Sequence, residues 1–548
     1  MDGAAKTAQA YPDFHDHLRA LDEAGLLVTI DRPINKDTEM HPLVRWQFRG
    51  GIAEADRKAF LFTNIVDAKG RKFDMPVVIG ALASNPEIYG IGMGAAVDEI
   101  GEVWARAIAD PVAPVIVDDA PCHEVVVEGD ALVGEGRGLD ALPIPISSPG
   151  FDSAPYLTAT NCISRDPETG VQNMGTYRAG LKASNRLALR WATRPGGAEG
   201  YLHWQKYQKL GQKMPCAIVL GCPPAVAYTS PQKLRTGLDE ISVAGAIVGA
   251  PIRMVRAKTV DLLVPAESEL VIEGLIDIEY LEPEAPFGES HGHIALEDFN
   301  AIFDVTAITH RRESIIPSII SQVTPSESSV IKRVAYEPLF LSHLKDHLGI
   351  KGVKRIAMHE PLTNLRRVVF IQFERGVPRT EIWRALTGAA TLQAAVGKYV
   401  IAVSEDIDPG NLDAVFWSLA YRADPAKDSQ ILRHRSRGHV PRIGDADEED
   451  STLLIDATLK RAMPPVALPK REYMEHARER WDELGLPPLT PEAPWHGYSL
   501  GDWNAAWDDA ARRAVAGDYL ENGRRTAQRR RTGVKPETPV RSVEDGWK

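Results

Sequence analysis

Hydrophobic positions near the start of this chain recur at helical spacing and then give way to short apolar strands. Phe14, Leu18 and Leu21 lie three or four residues apart, which predicts the buried face of an amphipathic helix. The predicted elements are a helix over 11–24, strands over 26–30 and 76–81, and a helix over 94–108. Helices and strands that alternate in this way predict an N-terminal α/β domain, which we place at 1–124.

The pattern changes between 125 and 323, where short β-rich runs are separated by Gly and Pro turns. The proline-rich stretch 142–146 marks this change. Helices are predicted near 198–210 and 237–248. A barrel-like sheet fits this region better than a Rossmann unit does, and we assign it to a domain at 125–328.

Helix-like and strand-like runs alternate again after Ser329, and they predict a C-terminal α/β domain at 329–487. These runs cover 339–348, 353–359, 367–373, 380–387 and 399–403. The last segment, 488–548, carries tryptophans together with an arginine cluster. A helical arm packed on another subunit explains it better than RNA contact, since the sequence has no RNA-binding module. The predicted fold class is therefore a multidomain combination of α+β and α/β units.

Composition points to small-molecule chemistry rather than to the binding of polyanions. The formal net charge is -12 and the sequence pI is about 5.7. An acidic chain of this kind is a poor general binder of nucleic acids or anionic membranes. A hydrophobic fraction of 44% is enough to pack the cores of about two or three domains.

The cysteines and the first residues bear on the compartment. Cys122, Cys162, Cys216 and Cys222 lie in apolar or strand-like segments without Cys-x-x-Cys spacing, which predicts reduced core residues. The first residues lack the apolar centre of a signal peptide, and no run approaches the ~18 apolar residues that span a bilayer. We therefore expect a cytoplasmic protein.

The stretch 283–292, Pro-Glu-Ala-Pro-Phe-Gly-Glu-Ser-His-Gly, places two carboxylates five residues apart around a Pro-Phe-Gly bend. Acids on an exposed helix are usually spaced by three or four residues among basic residues. Glu284 and Glu289 instead have apolar or turn-forming neighbours. Two acids brought together in a buried site do not both ionise easily, so one is expected to keep its proton as a donor. An acidic turn whose side chains face water fits these ten residues equally well.

Residues 160–178 predict a strand, an Asp-Pro-Glu-Thr-Gly turn and a second strand. The second strand carries Asn173 and Arg178, which would lie on opposite faces of a regular strand. Gly175 between them therefore predicts a bulge or a close approach of the backbone to a ligand. Asn is a neutral oxygen ligand suited to Mg²⁺ or Mn²⁺, and Arg is suited to phosphate or carboxylate.

Segments in this order resemble the UbiD family of reversible decarboxylases. They are the Asn-x-Gly-x-x-Arg strand at 173–178, the Arg-Trp pair at 190–191, the helix start at 238–245, the stretch at 268–274 and the acid loop at 284–289. The similarity extends over most of the chain, to about Lys470. The resemblance implies a central split β-barrel that binds flavin, between an N-terminal α/β domain and a C-terminal α/β oligomerisation domain.

The resemblance also implies the chemistry. Loss of carbon dioxide from an aryl or alkenyl acid leaves a carbanion without an internal electron sink, so a cofactor is needed. In this family the cofactor is prenylated FMN. By correspondence, Arg178 holds the substrate carboxylate, Glu284 pairs with Arg178 as an anion, and Glu289 donates the proton to the product carbon. The expected substrate is an aromatic or α,β-unsaturated carboxylic acid.

Further positions follow from the same resemblance. The cofactor-binding residues are Asn173, Thr176, Tyr177, Arg178, Arg190, Trp191, Ala192 and Gly196. Asn173 and Glu240 correspond to oxygen ligands of Mn²⁺ or Mg²⁺, with K⁺ as a further candidate ion. Some relatives carry a histidine after the Arg-Trp pair, where this sequence has none, and His203 is the candidate substitute. A histidine on a helix surface explains His203 about as well.

The resemblance implies a homodimer or homohexamer that obtains its cofactor from a flavin prenyltransferase and takes an aromatic carboxylate as substrate. Several alternatives stay open at this stage. The chain acts on an aryl-CoA thioester, it is a non-catalytic scaffold subunit of a multi-subunit carboxylase, or it is an FMN oxidoreductase or metal-dependent hydrolase with the same acid pair. Intact Arg178, Glu284 and Glu289 speak against the scaffold alternative.

Overall fold

A computed structural model describes most of the chain, which divides into two compact units. The described residues are 8–191, 198–232, 234, 238–284, 286–360, 366–393, 396–437, 449–461, 463–498, 501–530 and 532. The first unit consists of Met1–Ile371, Val377–Ala402 and Pro425–Asp456, and the second of Gln372–Gly376, Val403–Asp424 and Ala457–Lys548. The four-domain division at 124/125, 328/329 and 487/488 stays a prediction. The predicted cofactor residues Ala192 and Gly196 lie outside the described residues.

Helices and strands follow one another along the described chain. The strands are β1 (Leu27–Ile30), β2 (Ile34–Asn35), β3 (Ala59–Phe62), β4 (Ile65–Val66), β5 (Lys72–Phe73), β6 (Val77–Ile79), β7 (Val115–Val117), β8 (Val125–Glu128), β9 (Tyr156–Leu157), β10 (Asn161–Arg165), β11 (Gln172–Gly175), β12 (Ala179–Ala183), β13 (Arg186–Leu189), β14 (Met214–Leu220), β15 (Arg253–Arg256), β16 (Leu263–Pro265), β17 (Leu270–Glu284), β18 (Phe287–Gly288), β19 (Ile294–Ala295), β20 (Asp298–His310), β21 (Ile316–Ser318), β22 (Val353–Met358), β23 (Val368–Phe373), β24 (Tyr399–Ser404), β25 (Ser429–Ser436) and β26 (Glu449–Ala457). The α-helices are α1 (Phe14–Glu23), α2 (Met40–Arg49), α3 (Pro86–Met93), α4 (Ile100–Ala109), α5 (Glu199–Leu210), α6 (Pro224–Thr229), α7 (Glu240–Val248), α8 (Glu327–Ser342), α9 (Arg379–Thr391), α10 (Leu412–Arg422), α11 (Arg471–Glu483), α12 (Ala505–Val515) and α13 (Tyr519–Ala527). This content confirms the predicted mixed α/β class.

Helix α1 begins where the sequence supplies a cap. The Asp13 carboxylate accepts a hydrogen bond from the Asp16 N–H at 3.0 Å, and the Asp16 carboxylate accepts one from the Asp13 N–H at 3.2 Å. These reciprocal bonds satisfy N–H groups that a helix start leaves unpaired. Phe14, Leu18 and Leu21 are buried, as the spacing predicted.

The predicted helix over 94–108 was placed too early in the sequence. Gly94 has a φ of 65° and ends α3, so it belongs to the preceding helix. Helix α4 starts only at Ile100. The strands of this region form a four-stranded sheet in the order β1-β3-β6-β21.

The largest sheet of the described structure has nine strands and carries the candidate site. Its order is β11-β10-β14-β17-β20-β13-β12-β9, with β8 paired to β20. Strand β17 is 15 residues long and lies between β14 and β20, and its side chains Ile272 and Ile276 are fully buried. Pairing among the described strands ends at β11 and at the two-residue β9, so the ladder does not close into the predicted barrel.

Helix α8 begins well before the predicted run at 339–348. Ser326 and Ser329 cap its first turn, through bonds of 3.2 Å from the Ser329 N–H and 2.8 Å from the Ser326 N–H. Pro338 lies inside the helix, and an internal proline normally argues against helix, which explains the late prediction. A π-helical turn at His343–His347 follows. The order β22-β23-β24-β26-β25 in the next sheet, with α9 and α10, confirms the predicted α/β alternation.

The second unit contains a buried ion pair and the C-terminal helices. Arg422 donates to the two carboxylate oxygens of Asp406 at 2.7 and 2.6 Å, and both residues are buried. Helices α11, α12 and α13 have no buried residue, a property that fits the predicted helical arm. None of the described helices is long and apolar enough to cross a membrane.

Candidate active site

Arg178 brings the two predicted acids together. Its Nε donates to Glu284 Oε1 at 2.6 Å and its Nη2 to Glu284 Oε2 at 3.0 Å, while its Nη1 donates to Glu289 Oε1. The side chains of Arg178, Glu284 and Glu289 are 10%, 1% and 12% exposed. The acidic turn that faces water, which the sequence left open, is therefore ruled out for both acids. A charged triad this well shielded forms only when every charge has a partner.

Three separate elements position the triad. Arg178 lies in the bend between β11 and β12, Glu284 is the last residue of β17, and Glu289 follows β18. Strand β18 pairs with β19, and the Glu289 N–H donates to the His293 carbonyl at 2.9 Å across the turn. The predicted strand, turn and strand over 160–178 are confirmed as β10 and β11.

Gly175 allows the bend that presents Arg178. A Cβ at this position would lie 2.3 Å from the Tyr177 hydroxyl oxygen, so the close approach is to a side chain of the protein itself. The Tyr177 hydroxyl also accepts a hydrogen bond from the Gly200 N–H at 3.4 Å. Because Tyr177 folds back over Gly175, the strand ends there and Arg178 turns toward the acids.

Aromatic rings cover the guanidinium. Arg178 Cζ lies 4.7 Å from the ring centre of Phe287 and 5.9 Å from that of Tyr156. The Tyr156 hydroxyl is hydrogen-bonded to Glu284, and Asn300 donates to Glu284 Oε2 at 3.2 Å. Burial disfavours charge on Arg178, but the fields of Glu289 and Glu284 outweigh it and raise the pKa of Arg178 above its ordinary value. Arg178 is thus a permanent cation.

Asp152 is a third carboxylate at this site, and sequence analysis missed it. Its Oδ2 accepts from the Ser148 N–H at 2.7 Å, and the Ser147 and Gly288 N–H groups also bond to the carboxylate. Burial raises the pKa of Asp152 to about 6, although these N–H groups and Arg178 favour its anion. The residue stands in a Gly-Phe-Asp-Ser loop with no motif. Asn300, also missed, is a buried amide near the start of β20.

The predicted metal ligands converge on the β10–β11 pair. Glu240 Oε2 accepts from the Met174 N–H at 3.3 Å, next to Asn173. His203 Nδ1 is 2.9 Å from Ser164 Oγ, and Ser164 is the cross-strand partner of Asn173. His203 is buried, which lowers its pKa and favours the neutral ring, so it is not a surface histidine. The described residues contain no group of three or more His, Cys, Asp or Glu side chains with metal-site geometry.

Glu240 is a buried carboxylate to which no basic side chain among the described residues is bonded. Burial raises the pKa of Glu240 to about 7, and the nearby charges of Asp239 and Glu199 act in the same direction. Asp239 caps α7 through the Ile241 and Ser242 N–H groups, which explains why the helix starts at Glu240. The carboxylate of Glu240 and the amide oxygen of Asn173 are donors of the kind that a hard divalent cation prefers.

The other predicted cofactor residues have mixed surroundings. Thr176 is exposed, and its hydroxyl lies 3.0 Å from Ser230 Oγ. Arg190 is partly buried and donates to Asp298 Oδ2 at 2.5 Å. Trp191 is buried in the core, with its ring 6.0 Å from that of Trp204. Of these side chains only Thr176 and Arg190 reach the surface of the protein, and a cofactor role for all of them stays a prediction.

The geometry supports proton transfer beside an anion-binding group. One cation holds two carboxylates at fixed positions under aromatic cover, and a third carboxylate lies nearby. A site with more acids than bases holds a proton easily, since the carboxylates cannot all ionise at low cost. A protonated carboxyl held next to a fixed guanidinium is arranged for general acid catalysis on a bound carboxylate.

Two family models match this chain. The 3-octaprenyl-4-hydroxybenzoate carboxy-lyase Rift-related domain (UbiD) matches residues 115–323. The C-terminal domain of the same carboxy-lyase (UbiD_C) matches residues 330–457. Together the two models span more than half of the chain, and the first contains the whole triad.

Solved structures are similar over nearly the full length. The UbiD-class enzyme HmfF from Pelotomaculum thermopropionicum in complex with FMN has a TM-score of 0.74 and 27% identity, covering 85% of this chain and 100% of that chain. An evolved dimeric form of HmfF with prFMN has a TM-score of 0.71 and 27% identity, covering 83% and 97%. The vanillic acid decarboxylase of Sedimentibacter hydroxybenzoicus in closed form has a TM-score of 0.70 and 23% identity, covering 87% and 99%. This last likeness bears on the fold alone.

Proposed function

Because the chain belongs to the UbiD family of carboxy-lyases, we propose that it decarboxylates an aromatic carboxylic acid with prenylated FMN, through Arg178, Glu284 and Glu289. The proposal rests on one observation: the Arg178 guanidinium donates hydrogen bonds to two buried acids, Glu284 and Glu289. HmfF, which is similar in fold and sequence, was solved with prFMN and with FMN. An α,β-unsaturated acid is a second substrate class for the same chemistry.

The residues divide the work of the reaction. Prenylated FMN supplies the electron sink that the substrate lacks. Arg178 orients the substrate carboxylate, and Glu284 keeps Arg178 in place because it holds two of the N–H donors. When the bond to the carboxyl carbon breaks, its electron pair stays on the substrate carbon. Glu289 then donates a proton to that carbon and recovers one from water.

Charge balance supports this division. Glu284 accepts two bonds from Arg178, so we assign it to hold the guanidinium in place. Glu289 accepts a bond from Arg178 and directly follows the two-residue strand β18, so we assign it the proton transfer. The phenyl ring of Phe287 helps to exclude water from the space between them.

The proposal includes a divalent cation beside the flavin. Asn173 and Glu240 would hold Mn²⁺ or Mg²⁺, since both supply oxygen donors and no described basic side chain is bonded to the buried Glu240 carboxylate. His203 would add a neutral nitrogen ligand only if its ring turned from Ser164. Arg190 and Thr176 would then border the flavin, and the nine-stranded sheet would be the flavin-binding, split-barrel domain of the family. K⁺ is a further candidate ion.

The proposal extends to assembly. We propose a homodimer or homohexamer, with the C-terminal α/β domain and helical arm as the oligomerisation region, and a flavin prenyltransferase as the supplier of the cofactor. The hypothesis of an aryl-CoA thioester substrate differs only in the substrate. The scaffold hypothesis predicts no turnover by the isolated protein, so the activity screen described next tests it as well.

The first test replaces the proton donor. Protein is co-expressed with a flavin prenyltransferase, and carbon dioxide release is screened against aromatic acids, with the mass of the released cofactor as a second readout. We expect Glu289→Gln to retain prenylated FMN but to lose at least about 10²-fold in turnover, the usual contribution of a general acid. The control is Glu282→Gln, two residues before Glu284 on β17, whose carboxylate pairs with Arg186 at the surface side.

The results of this experiment distinguish the decarboxylase, the CoA-thioester and the scaffold hypotheses. Turnover that survives in Glu289→Gln contradicts the assigned role of this residue. Cofactor-loaded wild-type protein that acts on no aromatic acid, but acts on the corresponding CoA thioesters, moves the substrate to the second reading. Loaded protein that acts on neither contradicts the enzymatic proposal and favours the scaffold reading.

A further inference from the structure

The acid loop turns back on itself directly after Glu289. The Gly292 N–H donates to the Glu289 carbonyl at 3.0 Å, and the Glu289 N–H donates to the His293 carbonyl at 2.9 Å. Gly292 has a φ of 89°, in the left-handed region that glycine adopts without strain. This is a three-residue hairpin loop that ends in a glycine bulge, and its closing pair is Glu289 and His293.

The register of the hairpin places the side chains of this closing pair on one face. Phe287 pairs with Ala295 and Gly288 with Ile294, so Glu289 and His293 are the next residues to oppose each other. Directly opposed residues of antiparallel strands point to the same side, with Cβ atoms about 5 Å apart. An imidazole can reach a glutamate carboxylate over this distance.

The two side chains of the pair differ in their access to water. The Glu289 side chain is 12% exposed and lies beside Arg178, whereas His293 is exposed. Within the described part of the chain, the ring nitrogens of His293 form no hydrogen bond. Both nitrogens can therefore exchange protons with water, and the ring links the shielded acid to the solvent.

His291, at the tip of the same loop, has a different role. Its Nδ1 accepts a hydrogen bond from the His293 N–H at 3.2 Å, and the ring centres of the two histidines lie 5.8 Å apart. A ring nitrogen that accepts a bond carries no proton, so protonation there would break this contact. His291 thus supports the backbone of the turn, whereas the ring of His293 is available to carry protons.

The proposed reaction consumes one proton in every turnover, because Glu289 gives its proton to the product carbon and must then regain one. At pH 8 the proton concentration is about 10⁻⁸ M, so diffusion delivers about 10–100 protons per second to an exposed group. A carboxylate that is 12% exposed receives about a tenth of that supply, which is no more than a typical kcat of about 10 per second. Direct return of the proton from water therefore becomes limiting in alkaline solution.

Resting on the proposed decarboxylase function, we propose that His293 is the proton relay that restores the proton of Glu289. One imidazole nitrogen takes a proton from water or buffer, and the ring gives a proton to the Glu289 carboxylate, so the imidazole is neutral after each cycle. Glu289 then gives this proton to the substrate carbon, where it replaces the carboxyl group that leaves as carbon dioxide. His293 acts through Glu289 in this scheme and not on the substrate.

Two cations are also close enough to interact with Glu289. Arg178 donates to the Glu289 carboxylate and is a permanent cation, so it does not supply protons. Burial lowers the pKa of Lys332 on α8 to about 8, although the Glu289 charge acts in the opposite direction. An ammonium group of this kind can release a proton in alkaline solution, so Lys332 is the competing candidate for the relay.

The test is the pH profile of kcat in dilute buffer for cofactor-loaded wild type, His293→Gln and Lys332→Met. We expect His293→Gln to stay within about twofold of wild type at pH 6.5, where protons are plentiful, and to fall about fivefold or more below it at pH 9. Added imidazole should restore the loss, whereas pyrazole, a ring of the same size and a far weaker base, should not. His476→Gln, on the surface of α11, is the control and should match wild type.

A structural role of His293 would lower kcat equally at every pH, without rescue by imidazole, and this result would overturn the proposal. Unchanged kcat in His293→Gln at every pH, or an alkaline loss found only in Lys332→Met, would overturn it as well. Wild-type protein without turnover would contradict the decarboxylase function, and the relay would fail with it. Normal wild-type turnover with no effect in His293→Gln would remove the relay alone.

Contact between the two side chains is tested without turnover. Histidines of the full-length protein are carbethoxylated with diethyl pyrocarbonate, and each site is followed by mass spectrometry. A carboxylate that accepts from one imidazole nitrogen makes the other more nucleophilic, so His293 should react about twofold or more slowly in Glu289→Gln than in wild type. His476 should react equally in both proteins. Equal rates at His293 would show that the pair does not interact, and would overturn the proposal.

Discussion

At the scale of single residues, the geometry of the site depends on Arg178. Its planar guanidinium reaches both glutamates at once, with two bonds to Glu284 and one to Glu289. Phe287 and Tyr156 fix its plane from the faces. A point charge on a flexible stem has neither property, so a lysine cannot replace it.

The exchange Arg178→Lys tests this dependence. We expect the variant to fold but to lose about 10²-fold or more in decarboxylation, because a lysine cannot bond both acids in one orientation. The measurement is carbon dioxide release by cofactor-loaded protein, with circular dichroism to verify folding. Arg186→Lys is the matched control, since Arg186 pairs with Glu282 and Asp304 at a partly exposed position of the same sheet. Comparable losses of activity in the two variants would show that the simultaneous bonds of Arg178 to both glutamates are unimportant.

Part of the site could be predicted from the sequence, and the reason for the rest is physical. Asn173, Arg178, Glu284 and Glu289 stand in short motifs with fixed spacing, so their resemblance to a known family located them. Asp152 has no motif around it. It reaches the site only because the loop of Ser148 packs against Gly288, and a contact between segments more than a hundred residues apart leaves no local pattern.

At the scale of elements, the acid loop is closely packed at Gly288. The short β18–β19 hairpin is pressed between Ser148 and Gln322, and a Cβ on Gly288 would lie 2.8 Å from Ser148 Oγ and 2.6 Å from Gln322 Cγ. Both distances are shorter than a Cβ atom tolerates. An added methyl group at Gly288 would therefore displace the hairpin or the side chains that contact it.

Gly288→Ala should displace Glu289 from Arg178. We expect a loss of about 1–3 kcal/mol in the free energy of unfolding, as for other over-packed sites, together with a fall in kcat. Urea unfolding and carbon dioxide release measure the two effects. Gly523→Ala is the control, because a Cβ there meets open space on an exposed helix and should be neutral or slightly stabilising. An active and stable Gly288→Ala protein would mean that the hairpin yields without cost.

Element boundaries followed the local chemistry where the sequence showed it. Asp13 and Asp239 cap helices at positions close to the predicted starts. The errors at α4 and α8 have specific causes: a left-handed glycine that ended an earlier helix, and a proline that the helix accommodates. Whether the nine-stranded sheet closes depends on pairing between strands far apart in sequence, so periodicity alone could not decide it.

At the scale of the whole molecule, buried histidines link stability to pH. His17 bonds the Ala81 carbonyl at 2.6 Å, and His41 lies 2.9 Å from Ser318 Oγ. Burial lowers the pKa of His17 to about 4 and that of His41 to about 3, so both rings are neutral in the folded protein. The unfolded chain binds their protons below the ordinary histidine pKa of about 6.5. Stability is therefore present above this pH and declines as the solution is acidified.

Between about pH 6.5 and pH 4, each of these histidines should cost up to about 1.4 kcal/mol of unfolding free energy per pH unit. The check is urea unfolding at pH 7 and pH 5 for wild type, His17→Gln and His41→Gln. Each variant should lose less stability than wild type between the two pH values, whatever its stability at pH 7. His476→Gln, on the surface of α11, should keep the wild-type difference. Identical pH differences in all four proteins would contradict this account.

The two acids of the triad differ in how they are anchored. Glu284 ends a strand that runs through the middle of the largest sheet, hydrogen-bonded on both sides, whereas Glu289 stands on a hairpin of two-residue strands. Backbone amides along β17 should exchange with deuterium only when the first unit unfolds, and that of Glu289 far sooner. The backbone that carries Glu284 is therefore rigid, and the backbone that carries Glu289 is the more mobile of the two. Substrate can then enter and carbon dioxide can leave when a few residues of the hairpin are displaced. Glu284 and Arg178 keep their positions during this motion.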